Sequence, residues 1–122
     1  VNTIWRKIMI IRENAKVKET MVNMEGASNV TMRILIGTDE NSENIIMRQF
    51  KILPGGHTPK HTHDFEHVVK IVSGKGQIED ENGEFHELNS GNSVFVVPGE
   101  LHQFSNPNTE PFVFLCIIKN AN

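Results

Sequence analysis

A chain of 122 residues with 38% hydrophobic and 22% charged residues fits one folded domain and excludes a self-repelling disordered chain. Twelve Lys and Arg against fifteen Asp and Glu give a formal charge of −3, with no basic run longer than a pair, so the electrostatic footprint of a nucleic-acid binder is missing. The single cysteine, Cys116, excludes an intrachain disulfide and a thiolate-cluster metal site.

Taken in chain order, Val1 to Ile11 carries Arg6 and Lys7 inside an apolar stretch without a small-residue cleavage site, so it does not read as a secretory signal and a cytoplasmic protein is expected. Residues 1–30 read as one short strand, Ile8 to Ile11, followed by an irregular arm, since Lys16 to Gly26 shows neither helical nor strand periodicity. From Thr31 onward, short runs rich in Val, Ile, Phe and Thr are punctuated by Gly, Pro and Asn every eight to twelve residues, the signature of an all-β sandwich or barrel. The predicted strands are Thr31 to Gly37, Ile45 to Leu53, Val68 to Ser73, Gly76 to Asp80, Glu84 to Leu88, Ser93 to Val97, Gln103 to Ser105 and Phe112 to Lys119. Asn82-Gly83 tolerates positive φ at both turn positions and predicts a tight hairpin, while Pro54-Gly55-Gly56 and Pro98-Gly99 predict sharp turns at strand ends. The longest apolar run, Phe112 to Ile118, falls far short of the roughly 20 residues of a membrane-spanning helix, so no membrane partner is expected. One barrel domain over residues 31–122, preceded by the arm, accounts for the chain.

Six histidines stand out. His61 and His63 are two apart, so on an extended segment both imidazoles leave one face, which is a chelating geometry. His67 follows after a gap that a turn can fold back, and His102 lies just beyond Pro98-Gly99. Four neutral imidazoles converging on one point would hold a divalent transition ion, Mn, Fe, Cu, Ni or Zn, whereas an isolated His-x-His pair is also compatible with a polar edge strand. His57 and His86 fall outside this spacing and read as loop or surface residues.

With its glycines included, the pattern resembles the cupin superfamily. The first cupin motif runs glycine, five residues, His-x-His, three or four residues, Glu, six residues, glycine, and is matched by Gly55, His61, His63, His67 at the Glu position, and Gly74. The second runs glycine, five residues, Pro-x-Gly, two residues, His, three residues, Asn, and is matched by Gly91, Gly99, His102 and Asn106. Two departures stand out: Val97 occupies the proline position, with Pro98 one place late, and His67 replaces the acidic ligand. The chain looks most like small single-domain prokaryotic cupins with a four-histidine metal site. That resemblance implies a double-stranded β-helix of jelly-roll type with one divalent metal per chain inside it. It also implies a homodimer in which Ile8 to Ile11 joins the partner's sheet.

Four neutral ligands leave a divalent ion its full charge, making it a stronger Lewis acid than a site with three histidines and a glutamate. Free imidazoles titrate near pH 6.5, so metal affinity is expected to collapse below about pH 6. Arg48 shares strand parity with Ile46, Phe50 and Ile52; it either projects inward to hold a carboxylate or forms a salt bridge at the rim. Phe104 shares parity with His102, and Phe112, Phe114, Cys116 and Ile118 share one face of the last strand, as pocket wall or as core. Cys116 is then either close to the metal or a buried structural thiol. Glu66 orients a ligand imidazole or is solvated surface. No dinucleotide fingerprint, nucleophile elbow or phosphate-binding loop occurs. The function expected is a metal-dependent oxidoreductase of dioxygenase type acting on a small organic molecule. The alternatives are a non-redox Lewis-acid enzyme and a non-catalytic small-molecule or metal-binding module.

Overall fold

Alternation of apolar and polar side chains along the strands organises this protein, whose computed structural model describes residues 8–121. The nine strands are β1 (Thr20–Met21), β2 (Ser28–Ile36), β3 (Ile45–His57), β4 (His67–Ser73), β5 (Lys75–Glu79), β6 (Phe85–Asn89), β7 (Ser93–Val96), β8 (Gln103–Ser105) and β9 (Phe112–Lys119). All pair antiparallel in one sheet ordered β6-β5-β8-β3-β9-β4-β7, with β2 added to β3 and β1 to β2. The sheet curls on itself: Phe104 on β8 stacks on Phe114 of β9 at 4.6 Å although the two strands are not neighbours. This is the all-β, jelly-roll-like double-stranded β-helix expected from the sequence. Two 3₁₀ turns, Asn14–Lys16 and Thr38–Glu40, are the only helical segments among the described residues, and no helix among them is long and apolar enough to cross a membrane.

The middle strand β9 shows why the interior forms where it does. Phe112, Phe114 and Cys116 are buried, while Val113, Leu115 and Ile117 between them are half-buried on the other face. Register across β3, β9 and β4 then builds inward-facing rows: Ile52 beside Phe112, Phe50 beside Phe114 and Ile71, and Arg48 beside Cys116 and Val69. The first two rows are apolar and fill the core; the third carries a cation and a thiol, and opens the interior toward the histidines. At Gly76 the backbone passes so close to the fully buried Phe112 ring that a Cβ would lie 2.2 Å from it, and only glycine fits.

Two features depart from the sequence reading, and a third lies beyond a single chain. Ile8 to Ile11 forms no strand within the single chain, where Ile8 is 67% and Ile11 82% exposed; the edge it is expected to join is that of a partner's sheet, which a single chain does not contain. The arm instead contributes β1, whose Thr20 and Met21 pair with Met32 and Thr31. Pro54-Gly55-Gly56 is not a strand-ending turn; β3 runs through it to His57, with a register shift against β2 between Ser28 and Val30. Gly55, at φ 82°, absorbs that bulge. Asn82-Gly83 closes the β5–β6 hairpin as expected, with Gly83 at φ 82°.

Candidate metal centre

The two glycine-histidine motifs meet through backbone hydrogen bonds. His61 and His102 form an isolated antiparallel bridge, each donating its N–H to the other's carbonyl at 3.2 Å. In such a pair the side chains leave on the same face, and the two rings lie 5.3 Å apart. The Pro98-Gly99 turn reaches back in the same way, since the Gly99 N–H donates to the His63 carbonyl at 2.6 Å. His67 opens β4 and points inward with Val69 and Ile71, which brings its ring to 4.0 Å from that of His63. All four sequence-predicted histidines therefore line one cavity, in which His61, His63 and His102 form a close cluster of nitrogens and His67 lies beside it against His63.

Their tautomers follow from their partners. Nδ1 of His61 lies 2.8 Å from the Pro59 carbonyl and Nδ1 of His102 lies 2.9 Å from the Glu100 carbonyl. A carbonyl only accepts, so each Nδ1 carries the proton and each Nε2 presents its lone pair inward. The Nε2 atoms of His61 and His63 are 2.5 Å apart, and one nitrogen from each of His61, His63 and His102 lies within 4.8 Å of the others. Ligand nitrogens bound to one ion at about 2.1 Å are at most about 4.2 Å apart, so small side-chain rotations close the remaining gap. Nε2 of His67 is buried and has no hydrogen-bond partner among the described residues. An orphaned buried nitrogen beside this cluster of imidazole nitrogens is donor chemistry that suits a divalent transition ion, and the cluster could bind one.

Burial is the main reason these rings resist protonation. It lowers His67 to about 3, with help from the charges of His63 and Arg48, and lowers His63 to about 4, with the neighbouring His61 and His102 adding to the effect. His102 is lowered by burial as well, in part opposed by its bond to the Glu100 carbonyl. Aromatic rings close the cluster: Phe65 stacks at 5.1 Å on His63 and at 5.3 Å on His67, and Phe104 meets His102 edge-on at 6.0 Å.

A cavity of about 790 Å³ opens over the histidines, walled by Val22, Met32, Phe50, Phe104 and Phe114 and reached past Met24 and Glu25. Phe104 and Phe114 thus serve as both core and pocket wall; Phe112 is core only. Arg48 lines the cavity with its guanidinium carbon 4.9 Å from the Phe50 ring centre, and the rim salt bridge expected as one reading is not formed: among the described residues it has no ion-pair partner. Cys116 is buried between the two groups, its sulfur 3.4 Å from Arg48 Nη2 and 3.5 Å from His67 Nδ1, and burial pushes its thiol up. Glu66 is exposed, on the solvent side. His57 is half-buried at the end of β3, against Gln103, and His86 pairs on the exposed β5–β6 hairpin with Asp80 at 2.8 Å.

Sequence reasoning missed two contributors. Phe65 sits between two histidines in sequence and was passed over because aromatic residues next to ligands carry no spacing signal of their own. Residues 21–25, which roof the cavity, have no periodicity because they bridge β1 and β2 without joining either for long.

Comparison with known proteins follows the same lines. Residues 48–118 match the cupin domain family. The polyketide cyclase RemF from Streptomyces resistomycificus superposes with a TM-score of 0.88 at 27% identity, covering 92% of this chain and 80% of that one. A predicted oxalate decarboxylase from Thermotoga maritima superposes at 0.79 with 24% identity, over 91% of this chain and 98% of that one. A sugar phosphate isomerase from Silicibacter pomeroyi superposes at 0.78 with 15% identity, over 92% and 76%. No curated protein matches the sequence.

Proposed function

We propose that this chain, which belongs to the cupin domain family, is a mononuclear metal enzyme in which His61, His63, His67 and His102 hold one divalent transition ion next to a cavity for a small organic molecule. The observation that carries this reading is the unpartnered, buried Nε2 of His67 beside three imidazoles whose nitrogens already cluster. When bound, the ion supplies Lewis acidity toward a carbonyl, carboxylate or enolate oxygen.

The chain's own residues do the rest. The carbonyls of Pro59 and Glu100 hold His61 and His102 in the tautomer that turns Nε2 inward, which keeps the donor set neutral. Phe65 and Phe104 keep water from the flanks of the imidazoles, and the apolar wall positions a substrate by shape. Among the described residues the only carboxylate lining the cavity, Glu25, is exposed at its mouth, so no acidic side chain among them lines the cavity interior as a base. Such a site suits redox-neutral rearrangement of an organic molecule better than base-dependent hydrolysis. Cyclisation, decarboxylation and isomerisation, the activities in the names of three structurally similar proteins, are each redox-neutral overall.

The test is elemental analysis of the protein purified without added metal, beside His63→Ala and His102→Ala. About one ion per chain in the wild type, lost in both variants with the circular dichroism of the barrel retained, supports the reading. Metal retained in both variants, or none taken up by the wild type on incubation with Mn, Fe, Ni, Cu and Zn salts, overturns it. A redox-active ion together with activity that requires dioxygen moves the assignment to the dioxygenase-type chemistry expected from the sequence.

A further inference from the structure

We propose that the ligand of this cavity is an organic carboxylate with an apolar body, its carboxylate gripped by Arg48 and its body laid against Phe50, Phe104 and Met32. The proposal deepens the metal-centre reading and rests on it for the placement of the ligand beside the histidines.

Arg48 is the anomaly from which the argument starts. The other arginines among the described residues have counterions: Arg12 pairs with Glu40 at 2.9 Å and Arg33 with Glu19 at 3.4 Å. Arg48 has none. Its Nε is buried without a hydrogen-bond partner, and Nη2 has only the weak acceptor Sγ of Cys116 at 3.4 Å. A half-buried guanidinium without a counterion, its Nε out of water and unbonded, is costly, and removing the cost takes an acceptor that supplies charge and paired hydrogen bonds together. A carboxylate does both, through two parallel N–H···O bonds to the planar fork.

None of the described residues is placed to be that partner. Among the described residues the cavity is lined by neutral imidazoles, Thr58, apolar side chains, Lys60, which already pairs with Glu79, and the exposed Glu25 at the mouth. Asp64 and Glu66 are exposed and line a separate groove. The site is therefore positive before any ion enters and more so afterwards, because none of its donors carries negative charge. An anion is drawn to it from outside.

The rest of the wall sets the body of the ligand. Phe50 holds Arg48 from one side at 4.9 Å and stacks on Phe114 at 5.4 Å, so the arginine head sits on the rim of an aromatic surface. A cavity of about 790 Å³ is in the range of drug-sized ligands and would leave a two-carbon acid mostly surrounded by water. Charge at one end and apolar area at the other describe an aryl or long-chain monocarboxylate.

The probe pair is 2-naphthoate and its neutral isostere 2-naphthamide, titrated calorimetrically into the metal-loaded wild type, Arg48→Gln and Arg48→Lys, with acetate as the carboxylate lacking a body. The wild type is expected to bind naphthoate at least about tenfold more tightly than naphthamide or acetate. Arg48→Gln loses that preference while naphthamide affinity and metal content stay unchanged, and Arg48→Lys keeps part of it. Equal affinity for naphthoate and naphthamide in the wild type, no naphthoate binding at millimolar concentration, or an unchanged preference in Arg48→Gln overturns the proposal. If Arg48→Gln does not fold, the wild-type comparison and Arg48→Lys decide. Elemental analysis of the same samples separates the two readings. One ion per chain with no carboxylate preference defeats the ligand proposal alone, and an Arg48-dependent preference in a protein that takes up no metal defeats the metal centre alone.

Discussion

Asn106 offers the sharpest separation of what the second motif does for the fold from what it does for the site. The side chain is 1% exposed and makes three hydrogen bonds: Nδ2 donates to the carbonyls of Ile52 and Glu110, each at 2.8 Å, and Oδ1 accepts from the Asn108 N–H at 2.9 Å. Its backbone is tied to β3 as well, accepting from Gly55 N–H at 2.8 Å and donating to the Gly56 carbonyl at 3.0 Å. The residue thus staples the bulge of β3 to the segment that leaves β8, and touches no histidine. In Asn106→Ala the backbone ties survive and the three side-chain bonds go. At about 1 kcal/mol per bond, with a further 1 kcal/mol or so for leaving the Ile52 carbonyl dry, the loss is about 3 to 4 kcal/mol. A domain of this length carries about 6 to 18 kcal/mol, so the variant folds but melts about 10 °C lower.

Urea denaturation at 25 °C with the metal removed measures this loss, and elemental analysis below the melting temperature measures the site. The expected outcome is a large fall in stability with metal content unchanged. Asn106→Asp is the control for chemistry over shape: it keeps the volume but faces an acidic oxygen toward two carbonyls, so it loses at least as much as the alanine variant. A stability loss under about 1 kcal/mol in Asn106→Ala, or a wild-type Asn106→Asp, would refute the reasoning. Loss of metal from folded Asn106→Ala would refute the separation of staple from site.

Three further outcomes follow from burial and close packing. His63 and His67 are neutral in the folded protein down to about pH 4 and 3, while unfolded imidazoles take up protons near 6.5. Because the unfolded state then binds more protons, stability of the metal-free protein is full above about pH 6.5 and falls as pH drops toward 4, measured by urea midpoints across that range; a flat profile would contradict the burial. The same lowering softens the metal-binding collapse expected below about pH 6: two free imidazoles at pH 5 would weaken binding about 1000-fold, and His63 and His67 contribute almost none of that share of the penalty, which metal titrations at pH 7 and 5 read directly. Gly76→Ala drives a Cβ against the Phe112 ring, which is fully buried and has nowhere to shift, so urea denaturation should show a loss of about 3 kcal/mol or more, partly recovered by Phe112→Leu.

Motif spacing made the histidines legible because the physics that unites them is local in each half. His61 and His63 need only an extended backbone, and His102 needs only a turn before it. What the sequence leaves implicit is the pairing between the halves, the bridge from His61 to His102, which depends on how the 40 intervening residues curl. Most strands came within a few residues of their observed ends because their burial alternates, as in His67, Val69 and Ile71. Pro54-Gly55-Gly56 misled because punctuation residues mark both turns and bulges, and only the register of β2 opposite decides between them. Ile8 to Ile11 is a different case: an apolar run becomes a strand only where an edge receives it, and the edge expected for this one belongs to a partner that a single chain does not contain.

Arg48 shows the limit most clearly. Strand parity placed it inward, but whether an inward arginine is paired depends on residues that approach from β4 and β9, and Cys116 arrives from 68 positions away. The departure at position 67 bears on the same question. A glutamate at that point of the motif would have set a carboxylate close to Cys116 and within the field of Arg48, serving the ion and the arginine at once. In the proposed site His67 would serve only the ion, which would leave two cationic centres in a cavity whose one acidic lining residue among those described is the exposed Glu25. The charge missing from the donor set is thus the charge the ligand has to bring, and the identity of the ligand's head group is written in position 67 as much as in Arg48.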